Sequence, residues 1–218
     1  MGQPFVAGGH SDDRPALEDI DDFDDDIVAD DLADDDPDSD DEDDDDDYEE
    51  IEDATDEEID FVVALYREDG QAMGVALDPE YANDFDEFIA ELTRLPGDAG
   101  ALGFVSIDSD VLVAVRVRGP RHVQVFVSDV YFADEWPIVH DAVDFLGLDP
   151  GDGECPDDGP VGDLAMFADQ GLSEMDLEAI CMDDEDLSSE DLAQRIAKVA
   201  HFGSVFQKAV DDFWAIDE

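Results

Sequence analysis

The chain has 218 residues, room for one domain or two small ones, and carries 67 acidic against 9 basic residues, a formal net charge of −58. Such a surface repels phosphate, which argues against direct binding to tRNA, DNA or anionic membranes, because nucleic-acid affinity rests largely on Lys and Arg displacing counterions. A basic protein partner suits it electrostatically.

The acidity is uneven but pervasive. Residues 1–60 hold 31 of the acids and a single base, Arg14, while the remaining residues hold 36 acids and 8 bases. The opening "MGQPFVAGGHSDD" lacks the basic start and apolar stretch of a secretory signal. Val6 stands where a myristoylation signal needs Ser or Thr. No apolar run approaches the length of a membrane span. Two cysteines, Cys155 and Cys181, do not make a disulfide framework, and a cytoplasmic location is expected.

Residues 1–58, including the run "DSDDEDDDDDYEE" at 38–50, read as a disordered acidic tail. Their few apolar residues cannot offset the entropy of ordering so many repelling carboxylates. The texture changes at Ile59. "FVVALY" (61–66) is a continuous β-branched and aromatic run that suits a buried strand, Asp69-Gly70 suits a tight hairpin, and "AMGVAL" supplies the returning strand. Tyr81, Phe85, Phe88, Ile89 and Leu92 fall at helical spacing, and Pro96-Gly97 ends that helix. "ALGFVSI" (101–107), "VLVAVRV" (111–117) and "HVQVFVS" (122–128) read as three more strands, joined by loops short enough to make neighbours antiparallel. "DEWPIVHDAVDFLGL" supplies a second helix with Trp136, Val139, Val143 and Leu146 as its inward stripe.

Residues 59–148 thus predict an α+β domain of order ββαβββα with a five-stranded antiparallel sheet. Residues 149–160 form a turn-rich acidic linker, and 161–218 a helical region. Gly171 ends a short first helix there, Ser173 caps a second, and Ser188 or Ser189 caps a third. A last helix carries Phe206, Val210 and Phe213. These helices fit either a small bundle or a layer on the sheet.

Catalytic and metal signatures are missing from the sequence. His10, His122, His140 and His201 are scattered, and neither cysteine has a partner at ligand spacing, so no metal or other cofactor is expected. There is no nucleophile elbow, phosphate-binding glycine loop or dinucleotide fingerprint. Two candidate partner-binding spots remain. Arg116, Arg118 and Arg121 surround the Gly119-Pro120 turn and could grip a carboxylate or phosphate, or simply pair with the sheet's own acids. In "SDVYFADEWP", Ser128, Asp129 and Trp136 belong to an aromatic and acidic segment that suits either a partner-binding edge or core packing.

Four segments, "FVVALYREDG" (61–70), "LTRLPGDAGALGFVSIDSDVLVAVRVRG" (92–119), "VSDVYFADEWPIV" (127–139) and "VGDLAMFADQGLSEMDLEAIC" (161–181), resemble the actinobacterial tRNA adenosine deaminase-associated proteins. Ala165 departs from that family's usual acidic residue. The resemblance implies association with the deaminase and does not make this chain one. That zinc enzyme needs His-x-Glu and Pro-Cys-x-x-Cys, and neither occurs here. The expected function is a non-catalytic accessory protein whose partner is tRNA adenosine deaminase or another basic protein. The alternative is a nucleic-acid mimic or chaperone-like buffer acting through the tail.

Overall fold

The computed structural model of the chain describes residues 51–119, 121–149, 155–183 and 187–216. The expected disordered tail lies, up to residue 50, outside the described residues. Six strands, β1 (Ile59–Glu68), β2 (Gln71–Ala76), β3 (Ala101–Ile107), β4 (Val111–Val117), β5 (Val123–Val127) and β6 (Val161–Gly162), form one antiparallel sheet in the order β2-β1-β3-β4-β5-β6. Among the described residues five α-helices accompany it: α1 (Phe85–Arg94), α2 (Pro137–Phe145), α3 (Glu174–Asp183), α4 (Ser189–Val199) and α5 (Gly203–Ile216). The fold is α+β, as the sequence predicts.

The hairpin between β1 and β2 turns on Asp69 and Gly70, both at positive φ (52° and 75°), which matches the twist of the strands it joins. Between β3 and β4, Asp108 and Ser109 take the same left-handed conformation. Short polar side chains tolerate it better than branched ones do.

Helices cover both faces of the sheet. On β3, Gly103 faces α1, and a Cβ there would lie 2.4 Å from Phe88 and 2.7 Å from Leu92. Its neighbour Phe104 points the opposite way and meets Phe206 of α5 edge-on, with ring centroids 5.9 Å apart. Phe61 of β1 meets the same ring at 5.5 Å. The α1 layer also holds α2, which packs on α1, β4 and β5; the opposite layer holds α4 on β3 and β4, and α5 on β1 and β2. Burial on both faces explains why β1, β3 and β4 read as unbroken apolar runs.

The N-terminus of α4 is fastened by a polar cluster. Ser189 and Ser106 hydroxyls lie 2.6 Å apart, and Ser106 donates to Asp60 at 2.8 Å. Asp60 also accepts the Ser109 N–H at 2.7 Å, and the Ser189 N–H donates to the Ser109 carbonyl. Both buried hydroxyls are thereby satisfied, as burial of polar groups requires. Ser188 caps α4 by accepting the Asp191 N–H, and Ser173 and Asp176 cap each other's backbone at the start of α3.

Three details depart from the sequence reading. The sheet has six strands instead of five, because Val161 and Gly162, placed in the helical region, pair with Val127 and Phe126. Two residues carry no alternation to betray a strand. The second departure is that Tyr81 lies in a 3₁₀ turn (Pro79–Ala82) ahead of α1, and Asp84 supplies the helix cap. The third is that ordered chain begins before Ile59: buried Ala54 exchanges two hydrogen bonds with the side-chain amide of Asn83. Among the described residues no helix is long and apolar enough to cross a membrane.

Close approach of α5 to the sheet depends on Gly74 of β2, where a Cβ would stand 2.4 Å from the Val205 carbonyl oxygen. That obstacle is backbone and cannot rotate away. Gly74→Ala is expected to lower stability by about 1–3 kcal/mol, the usual cost of overpacking. Thermal unfolding followed by circular dichroism checks this; a midpoint within error of wild type would contradict it.

Candidate functional site

Arg116 projects from β4 toward the 3₁₀ segment Leu164–Gln170. Its guanidinium makes two parallel hydrogen bonds to Asp169, both 3.0 Å, and also donates to the Met166 carbonyl. Arg118 reaches the same carboxylate at 2.7 Å. Two of the three candidate arginines therefore grip a carboxylate of this chain, and the clamp ties the segment after β6 to the sheet. Arg121 sits apart from the clamp, exposed on the turn after β4. Hydrogen bonds from Arg116, helped by the charges of both arginines, hold the Asp169 carboxyl below its usual range.

Ser128 and Asp129 follow β5 directly. Ser128 accepts the Leu112 N–H at 2.9 Å, so its hydroxyl locks β5 to β4. Asp129 accepts the N–H of Tyr131 at 3.0 Å, capping the 3₁₀ turn Val130–Asp134, and that of Gly159 at 2.8 Å. Trp136 does not join them. Its ring is buried, its backbone opens α2 and its indole N–H has no hydrogen-bond partner, so its role is in packing.

Ser128 and Asp129 nevertheless line a cleft of about 450 Å³ between β5, α3 and α4. Asp110, Asp129 and Asp158 supply carboxylates, and Phe132, Cys181, Met182 and Leu192 supply apolar surface. Burial, with Asp108 and Asp60 nearby, raises the Asp110 carboxyl above its usual range. Met182 presents a large apolar side chain to solvent here, 62 % exposed. Carboxylates beside apolar surface have the chemistry to suit an amphipathic cation such as a Lys or Arg side chain, with an apolar stem and a charged head. Asp110, Asp158 and Cys181 were not legible as site residues, because they come from three separate segments with no motif among them.

Burial disfavours the thiolate of Cys181 at neutral pH. Burial, with Asp129 close by, pushes its thiol up to about 12, and the thiolate is the reactive form. Iodoacetamide at pH 8 should label Cys181 at least about tenfold more slowly in the folded chain than in urea; equal rates would contradict this burial. For the clamp, Asp169→Asn should cost about 1–2 kcal/mol at pH 7, discounted for the exposure of the carboxylate. A depressed acid stabilises the fold above its usual value of 3.8 and loses that contribution as pH falls through the lowered value. The gap between wild type and variant in urea midpoint should accordingly close on acidification below 3.8; a gap independent of pH would contradict the clamp.

No curated protein and no solved structure matches this chain. Residues 60–203 match a protein family described as Rv3753c-like tRNA adenosine deaminase-associated protein. The match spans the sheet, α1 to α4 and the cleft, which agrees with the resemblance seen in the sequence. The chain belongs to the Rv3753c-like tRNA adenosine deaminase-associated protein family.

Proposed function

We propose that this chain is a non-catalytic, cytoplasmic accessory protein that binds tRNA adenosine deaminase, or the machinery around it, through the cleft beside Ser128 and Asp129. The observation that carries the reading is the pairing, in one cavity, of the Asp110, Asp129 and Asp158 carboxylates with apolar side chains that include the exposed Met182. Apolar anchors supply affinity, while the charges supply orientation and association rate. A protein that holds tRNA needs a basic face, and a chain of net charge −58 is attracted to such a face over distance. The choice of partner is supported by the family description, which reads tRNA adenosine deaminase-associated protein. The chain itself lacks the His-x-Glu and Pro-Cys-x-x-Cys of a zinc deaminase.

A second reading rests on the run at 38–50, where carboxylates follow one another along the chain. Extended residues advance about 3.4 Å each, close to the charge spacing of one DNA strand, so the tail could imitate nucleic acid. Deleting residues 1–58 separates the two: unchanged partner binding removes the mimic.

Co-purification with the deaminase in moderate salt tests the leading reading. Full-length protein should enrich the enzyme, and the pair Asp110→Asn, Asp158→Asn should weaken binding about tenfold with a shallower salt dependence. Absence of enrichment by the wild-type chain would sink the proposal.

A further inference from the structure

At the opposite end of the sheet a second cavity, of about 230 Å³, has the reverse character. Arg67 at the end of β1, Arg116 near the end of β4, and His201 between α4 and α5 all line it, and none of its lining residues is acidic. With 9 basic residues in the whole chain, two arginines and a histidine line one cavity, the charge of Arg116 being paired with Asp169 and that of Arg67 with no carboxylate among the described residues. The floor is apolar, made of Leu65 and Leu102, both buried.

The two arginines differ in how much they have left to offer. Arg116 is committed to Asp169 and the Met166 carbonyl. The Arg67 guanidinium lies over the Phe202 ring, 4.8 Å from its centroid. That contact is not a hydrogen bond, and no hydrogen bond or ion pair engages the guanidinium N–H donors of Arg67 among the described residues. Gln170 adds a third element: its side-chain oxygen is buried with no hydrogen-bond partner, although the residue lines the cavity. A buried acceptor without a donor is unfavourable, and a ligand hydroxyl or amine would satisfy it.

We infer that this cavity binds a small organic acid carrying a hydrogen-bond donor beside its carboxylate, as in a 2-hydroxy acid. Arg67 holds the carboxylate through its planar fork, the donor meets Gln170, and a short carbon body rests on Leu65 and Leu102. The volume falls below the several hundred Å³ of sites that hold drug-sized ligands, which sets the size of the acid. Overall negative charge opposes every anion, so affinity is expected in the millimolar range, near a Kd of about 1 mM. The inference is independent of partner binding at the other end of the sheet.

The test uses full-length protein labelled with nitrogen-15 and titrated with L-lactate at constant ionic strength, propionate serving as the acid without the hydroxyl. Saturable shifts should appear at the amides of residues 99–102 and 200–202, with propionate weaker than lactate. Arg67→Met keeps the stem against Phe202 and should lose about tenfold in affinity or more. Arg94→Met, on the exposed face of α1, should bind as wild type does. Arg67→Lys keeps the charge without the fork and should bind more weakly than wild type, which preserves the test if Arg67→Met fails to fold. No saturation by about 50 mM lactate, far above the expected Kd, would overturn the inference. So would equal affinity of the Arg67 and Arg94 variants, or propionate binding as tightly as lactate.

Discussion

One ring ties α5 to the sheet. Phe206 of α5 stands edge-on to Phe61 of β1 and Phe104 of β3, all three fully buried. Edge-to-face pairs contribute roughly 0.5–1.5 kcal/mol beyond the burial of their area. Without α5 the face of the sheet that carries Phe61, Leu65 and Phe104 would meet water. Almost everything else on that side follows. The docking of α5 places Phe202 beneath Arg67 and positions α4, whose N-terminus the Ser106–Ser189–Asp60 cluster then fixes.

The same constraint sorts the charges. A sheet apolar on both faces leaves no interior place for carboxylates, so the acids of the body collect on the outside. Three of the few cations are turned inward or along the surface: Arg116 and Arg118 onto Asp169, Arg67 onto an aromatic ring. Self-repulsion among the outer acids opposes compactness, and burial on both faces of the sheet offsets it. No carboxylate is buried among the described residues, and among their cavities one beside Ser128 is lined by three aspartates while another, beside Arg67, is lined by none.

Where the sequence carried a local pattern, it could be read. β3 and β4 were placed to the residue, because β-branched runs bounded by short turns have few other solutions. Gly171, with φ of 100°, closes the Leu164–Gln170 turn as expected, and Ser188 caps α4. Non-local pairing was not legible. Arg116 and Asp169 are far apart in the chain, and among so many acids no single one could be singled out as the partner of an arginine. An apolar stripe on α5 says that the helix must bury a face, but not which surface receives it. Of the candidate site residues, Ser128 and Asp129 line a cleft, while the Trp136 ring is buried.

Hydrogen–deuterium exchange on the full-length chain, with and without tRNA adenosine deaminase, addresses the central claim most directly. Protection should appear at residues 128–132, 158–159 and 187–192, the segments that frame the acid-rimmed cleft. Protection confined to residues 1–50, or no change anywhere in the presence of the enzyme, would contradict it.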